Sequence, residues 1–175
     1  MEIIPAVSSD LDEDVRAQLR LLWNAAFRDF SDQDAAHAFG GVHVLAYDGS
    51  DVVGHASAVP RTVHVGDQPW DTGYVEAVAV SPACQGSGIG SALMRALQGE
   101  LRDRWPFGAL STSKHGFYEQ LGWERWRGTS YVRMVDGRRQ ADGEHGGLMV
   151  LRFGPSADVD LTASITCEDR PGDAW

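Results

Sequence analysis

Apolar residues along this chain fall into short blocks that alternate between helical and strand periods. From 12 to 27 the apolar positions Val15, Leu19, Leu22, Ala26 and Phe27 keep helical spacing, which predicts a first helix. Ser31 suits the N-cap of a short second helix ending near Gly40 and Gly41. Residues 42–47 and 52–61 flank the polar run Asp48-Gly-Ser-Asp51 and predict a hairpin, which 63–65 extends toward a strand at 74–80. Ile89, Leu93, Ala96, Leu97 and Leu101 return to helical spacing, so a longer helix follows. A short strand is predicted at 107–111 and a short helix at 115–121, stopped at Gly122. Strand-like segments cover 123–135, 148–153 and 159–167, and the glycine- and charge-rich stretch 138–147 is expected to be a mobile loop. With 175 residues, 43% of them apolar, the chain can build one sizeable core. The expectation is an α/β fold with a mixed central sheet flanked by helices, in a single domain over 1–175.

Between the strand at 74–80 and its helix lies a loop carrying Gly86, Gly88 and Gly90. Backbone without side chains at a helix N-terminus is an anion site, because several N–H groups converge there and the dipole favours negative charge. A P-loop would need Gly-Lys-Ser/Thr, but Ile89-Gly90-Ser91 has no lysine. A dinucleotide fingerprint needs G-x-G-x-x-G, and Gly86-Ser-Gly88-Ile-Gly90 is one residue too tight. The alternative is a glycine-rich turn with no ligand.

Composition narrows the partners. Asp and Glu number 25 against 15 Lys and Arg, a net charge of −10. That argues against nucleic acid, which needs a basic face. An acidic surface suits a cationic small substrate, and it also serves plain solubility. No apolar run is long enough to span a membrane, and the acidic N-terminus lacks a signal-peptide layout. Cys84 and Cys167 form no C-x-x-C pattern, so a reduced, cytoplasmic protein is expected. The six histidines make no H-E-x-x-H or His/Cys cluster, which leaves metal catalysis without support. His43 and His55 fall in predicted strands and read as satisfied structural histidines, and Ser111 and Ser113 form no Ser-His-Asp signature.

Period 2 along 74–80 puts Tyr74, Glu76, Val78 and Val80 on one face, and Val75, Ala77 and Ala79 on the other. Glu76 is then a carboxylate in an apolar strand, which must find water, a hydrogen-bond donor or a cation. Amine acylation needs a deprotonated amine, and a carboxylate acting through water can take that proton. Backbone N–H groups of the same strand could hydrogen-bond the thioester oxygen. A structural salt bridge is the competing role for Glu76. Tyr118, in Phe117-Tyr118-Glu-Gln-Leu-Gly122-Trp123, could protonate a departing thiolate or could be core packing.

These segments resemble the acyl-CoA N-acyltransferases of the GNAT superfamily. Gln85, Gly86, Gly88 and Gly90 fit its Q/R-x-x-G-x-G/A loop, and 117–123 resembles its F-Y-x-x-x-G-F/W element. The resemblance implies acetyl-CoA as donor and no metal. It assigns pyrophosphate to Gln85, Gly86, Ser87, Gly88, Ile89, Gly90 and Ser91, with backbone contacts from Val78, Ala79 and Val80. Glu76 becomes general base and Tyr118 general acid to the sulfur. Within the superfamily, Phe39-Gly40-Gly41-Val42-His43, Gly73-Tyr74-Val75-Glu76-Ala77, Leu110-Ser111-Thr112-Ser113 and the ending Arg170-Pro171-Gly172-Asp173-Ala174-Trp175 are similar to aminoglycoside 2′-N-acetyltransferases. That similarity implies an aminoglycoside held by Asp29, Asp34, Glu76, Ser111, Asp173 and Trp175, through carboxylates, the terminal carboxylate and an exposed indole face. It also implies antibiotic resistance and a homodimer. The chain departs from the family pattern in Ala26-Phe27-Arg28-Asp29-Phe30, Pro60-Arg61 and Cys167-Glu168-Asp169-Arg170, all on the acceptor side, which brings kasugamycin forward beside gentamicin and tobramycin. A polyamine or protein N-terminus as acceptor, or a non-catalytic drug-binding protein, are the alternatives.

Overall fold

A computed structural model of the chain describes residues 1–141 and 147–175. Its contacts divide into two compact units, Met1–Val59 with Val75–Asp103, and Pro60–Tyr74 with Arg104–Trp175.

The first unit carries β1 (Glu2–Val7), α1 (Glu13–Ala26), α2 (Asp32–His37), β2 (Val42–Asp48), the start of β3 (Asp51–Val65), the end of β4 (Gln68–Val80) and nearly all of α3 (Ile89–Arg104). β2 pairs antiparallel with β3, as the hairpin pattern predicts, with an irregularity between Ala46 and Tyr47. β1 pairs antiparallel with β2 and was not legible in the acidic N-terminus; Pro5 sits in it as tolerated in a strand paired on one side. Helix α1 starts where Asp12 caps it, its carboxylate accepting the Val15 N–H at 2.9 Å. Leu19, Leu22 and Trp23 of α1 pack in one core with Leu11, Leu45, Val52 and Ala79. On α3, Ile89, Leu93, Leu97 and Leu101 are buried as their spacing predicts, together with Met94, whereas Ala96 is only half-buried.

The second unit holds the remaining parts of β3 and β4, then β5 (Phe107–Ser111), α4 (His115–Glu119), β6 (Glu124–Arg125), β7 (Ser130–Met134), β8 (Gly137–Gln140), β9 (Leu148–Arg152) and β10 (Ile165–Glu168). Strand order is β6-β9-β5-β4-β3-β10-β7-β8. Pairing is mixed: β4 runs parallel to β5 through Thr72, Gly73 and Tyr74, β10 runs parallel to β7, and β5 and β9 are antiparallel.

Three expectations fail here. The segment 123–135 breaks into β6 and β7 because the N–H groups of Arg127 and Gly128 leave the ladder for the Leu161 carbonyl, at 2.9 and 3.0 Å. Strand character at 159–167 survives only in β10, since Asp160 folds its carboxylate onto the Thr162 N–H at 2.8 Å and makes a turn. The expected loop 138–147 begins as strand β8, and its residues 142–146 lie outside the described residues. Among the described residues no helix is long and apolar enough to cross a membrane.

Candidate active site

β4 ends at Val80, and the chain turns through Pro82–Cys84 into α3. Short-range bonds shape this loop: the Gln85 amide donates to the Val80 carbonyl at 3.2 Å, and the Ser87 hydroxyl donates to the Cys84 carbonyl. Gly86 and Gly88 have φ of 77° and 88°, the left-handed region open to glycine, and a side chain on either would meet open space. The first helical bond of α3 runs from the Ala92 N–H to the Gly88 carbonyl at 3.1 Å, so the N–H groups of Ile89, Gly90 and Ser91 precede it. No acid occupies the first turn. Exposed glycine backbone before a 16-residue helix therefore fits a pyrophosphate: there is room, convergent N–H groups and no competing carboxylate. Gln85 contributes by bracing the loop, and its side chain faces back to Val80. Val78 and Val80 are half-buried and Ala79 is buried.

Upstream on β4, Glu76 is half-buried, with one carboxylate oxygen shielded from solvent. The next residue corrects the simple two-face reading. Ala77 has φ 49°, a left-handed backbone that costs a residue with a Cβ roughly 1–2 kcal/mol. Strict alternation stops there, and the face of Tyr74 and Glu76 does not carry through to Val78 and Val80. Side chains of β3 hold the irregular peptides. Ser57 Oγ donates to the Glu76 carbonyl at 3.2 Å, and His55 Nδ1 lies 2.9 Å from the Ala77 carbonyl. His55 Nε2 is 2.9 Å from His43 Nδ1, and His43 Nε2 is 2.7 Å from Ser8 Oγ. Both rings are buried and hydrogen-bonded, as their strand positions suggest. Burial, aided by Arg16, lowers the pKa of His43 to about 4. Burial and then His43 lower that of His55 to about 3, against the Ala77 bond that raises it. Both are neutral at pH 7.

Asp34 serves the fold in this unit. Its carboxylate accepts both the N–H and the hydroxyl of Ser31 at 2.8 Å, a reciprocal cap on α2. Asp29 lies exposed in the bend between α1 and α2.

In the second unit, Tyr118 is 7% exposed on α4, edge-on to Phe117 and Trp123. Burial pushes its pKa up to about 12. Ser111 closes β5 and is half-buried. The chain terminus is tied down, not frayed: Arg61 donates to the Ala174 carbonyl at 2.6 Å and to the Glu168 carbonyl at 3.0 Å, and Cys167 Sγ–H donates to the Ala174 carbonyl at 3.4 Å. Arg170 reaches the Asp173 carbonyl at 2.7 Å, and Asp173 is an exposed residue. Trp175 corrects the expectation of an exposed indole. It is 4% exposed, with its ring centroid 6.4 Å from that of Tyr74, and its indole N–H has no hydrogen-bond partner among the described residues. Arg61 also lies over the Tyr74 ring at 4.8 Å. Sequence reasoning overlooked Arg61 as an anchor and Ala77 as a strained position; the run Val-Glu-Ala-Val carries no local sign of the second. Among the described residues no group of His, Cys, Asp and Glu is placed to hold a metal ion.

Comparison with known proteins supplies the family. The model of an acetyltransferase (GNAT) domain matches residues 9–126. An aminoglycoside 2′-N-acetyltransferase of Mycolicibacterium fortuitum is 39% identical over 173 residues, covering 96% of this chain and 89% of the relative. Two solved structures share the fold. A GNAT family acetyltransferase from Brucella melitensis in complex with acetyl-CoA has a TM-score of 0.63 at 22% identity, over 94% of each chain. The GNAT family N-acetyltransferase YhbS from Escherichia coli in complex with CoA has a TM-score of 0.67 at 16% identity, over 95% of this chain and 90% of that one.

Proposed function

The chain belongs to the GNAT acetyltransferase family, and from that premise we propose that it moves an acetyl group from acetyl-CoA to the 2′-amine of an aminoglycoside, as a single catalytic domain over 1–175. The observation that carries the donor half is the loop: exposed, left-handed Gly86 and Gly88 opening onto an α3 N-terminus free of acids. The acceptor half rests on the relative from Mycolicibacterium fortuitum, matched along nearly the whole chain.

Acetyl-CoA, when bound, supplies an activated acetyl group as a thioester. The rest falls to the protein's own groups. Gln85 to Ser91 hold pyrophosphate by backbone N–H donation, with Val78, Ala79 and Val80 offering main-chain contacts. Glu76 takes the ammonium proton through water, leaving the amine able to attack. Asp29, Asp34, Glu76, Ser111, Asp173 and Trp175 hold the polycationic acceptor, the acids by charge-assisted hydrogen bonds; Ser31 uses Asp34 Oδ2, and Oδ1 remains for this.

Tyr118 takes a narrower role than full proton transfer. A phenol near 12 is a weaker acid than a thiol near 8.5, so complete transfer runs uphill by roughly 5 kcal/mol. Its hydroxyl instead donates a hydrogen bond to the sulfur as negative charge collects there.

Antibiotic resistance and a cytoplasmic, homodimeric protein complete the reading, with kasugamycin a candidate acceptor beside gentamicin and tobramycin. Thiol release from acetyl-CoA, followed with gentamicin, tobramycin, kasugamycin and spermidine, tests it. Turnover with an aminoglycoside, lost when a hydroxyl replaces its 2′-amine, is expected. Turnover with spermidine alone, or tight drug binding without thiol release, overturns it.

A further inference from the structure

Two histidines deep in the first unit serve no role so far, yet they end on the peptide next to Glu76. The proton positions along this chain of contacts follow from counting lone pairs. Ser8 Oγ accepts the Gly40 N–H at 2.8 Å and the Gly41 N–H at 3.2 Å, which fills both of its lone pairs. Its own proton must therefore be donated. His43 Nε2 at 2.7 Å is the nearer acceptor, and the Gly41 carbonyl lies at 3.3 Å. His43 then carries its proton on Nδ1 and gives it to His55 Nε2 at 2.9 Å. That leaves the His55 proton on Nδ1, facing the Ala77 carbonyl at 2.9 Å. In the competing arrangement the Trp23 indole donates to His55 Nδ1 at 3.2 Å. The His55–His43 and His43–Ser8 bonds then reverse, the Ala77 carbonyl loses its donor and Ser8 must accept three, whereas the arrangement above costs only the Trp23 N–H that acceptor.

His55 and Ser57 are two apart on β3, so their side chains share one face of that strand. They reach successive carbonyls of β4, which a flat sheet would hold in its plane and pair with backbone N–H groups. The peptides at 76 and 77 are thus tilted out of the sheet and pinned by side chains, at a residue whose backbone is itself strained.

We propose that His55, oriented by His43 and Ser8, is a positioning residue that fixes the left-handed peptide at Ala77 and so aims the Glu76 carboxylate. This rests on Glu76 as the general base. His43 and Ser8 act only through His55, and the stack needs both rings uncharged, as their burial ensures.

The test compares His55→Phe, which fills the space without a donor, with His55→Asn, which keeps an N–H donor at the δ position. His55→Phe is expected to lower kcat about ten-fold or more while the KM for acetyl-CoA stays within about two-fold. His55→Asn should return kcat to within about three-fold of the parent. In a Glu76→Gln background, His55→Phe should cost nothing further, since it acts through a group already removed. Parent kcat in His55→Phe, a loss that adds in full to that of Glu76→Gln, or no recovery in His55→Asn would each overturn the proposal. Nitrogen-15 NMR of the histidine rings gives a readout independent of turnover. Protonation of His55 at Nδ1, with a coupling to the Ala77 carbonyl, is expected; the Nε2 tautomer would refute the positioning even if Glu76 proves to be the base. Parent turnover in Glu76→Gln alone would instead strike the base assignment and leave the NMR result standing.

Discussion

The glycine loop and the C-terminal tail are built by opposite means. The loop is held by bonds between residues three and five apart, from Ser87 to Cys84 and from Gln85 to Val80, and its glycines face solvent. The tail is held by Arg61, more than a hundred residues away in sequence, and Ala174 and Trp175 are buried. A site made of local backbone geometry can be read from a short stretch of sequence. One made of distant side-chain contacts cannot, even when its own residues are conspicuous. The donor is accordingly legible from Gly86 and Gly88, whereas the role of Trp175 is distorted until its burial is seen.

The sharpest way to strain that comparison lies at Glu76, which belongs to the loop's strand but is proposed to act on the acceptor. Glu76→Gln should lower kcat by about a hundred-fold or more, the scale of general base catalysis, with the KM for acetyl-CoA nearly unchanged. A matching loss of acetyl-CoA affinity would mean that the carboxylate supports the loop and not the chemistry.

Acid separates the two regions next. His43 and His55 have folded-state pKa values near 4 and 3, below the ordinary 6.5. Above pH 6.5 they are neutral folded or unfolded, and their contribution to stability is complete. Below it the unfolded chain binds protons that the folded chain refuses, so stability falls as pH drops toward 4 and 3. At pH 5 the loss is roughly 2 kcal/mol for each ring. Urea midpoints at pH 7 and pH 5 measure it, and replacing both rings with Asn should flatten the difference. The tail is anchored by Arg61, with no histidine in those bonds. An unchanged pH dependence in the double variant would place the acid sensitivity elsewhere.

A pair of substitutions then tests the division directly. Gly88→Ala forces a Cβ into φ 88° at a site with open space around it, so the strain is purely in the backbone. It should raise the KM for acetyl-CoA about ten-fold and leave that of the aminoglycoside alone. Arg61→Ala removes two bonds to the tail and the cation over Tyr74, and should do the reverse while lowering the melting temperature. If both variants raise the same KM, the loop and the tail are not separable in function.

Much of the fold is legible for the same reason as the loop. The Ser31 cap, the β2–β3 hairpin and the α3 stripe are all set by neighbours in sequence. What escapes is mostly set by partners far along the chain: β1 against β2, and the break at Arg127 and Gly128. The Asp160 turn, made with Thr162 two residues on, is local and reads as strand all the same. Asp34 shows the intermediate case. Its acid was legible as a ligand for a cation, but the Ser31-x-x-Asp34 spacing equally marks the helix cap that the structure shows. At Ala77 nothing local signals a left-handed residue, because the cause is His55, which lies on β3.

Tyr118 gives the smallest effect and the most discriminating one. Its motif suggests a general acid, and losing a general acid slows a reaction by about 10²–10⁴-fold. Its burial argues otherwise, since a phenol raised to about 12 keeps its proton against a thiolate and can only share it. A neutral hydrogen bond contributes about 0.5–1.5 kcal/mol, so Tyr118→Phe should slow thiol release by about two- to ten-fold and leave the ring contacts with Phe117 and Trp123 in place. The alkaline limb of kcat/KM should also keep its midpoint in the variant, because the phenol stays protonated well above pH 10. A hundred-fold loss would restore full proton transfer and imply that bound substrate brings the phenol back toward its ordinary range. No loss at all would leave Tyr118 as packing, buried for the sake of the core alone.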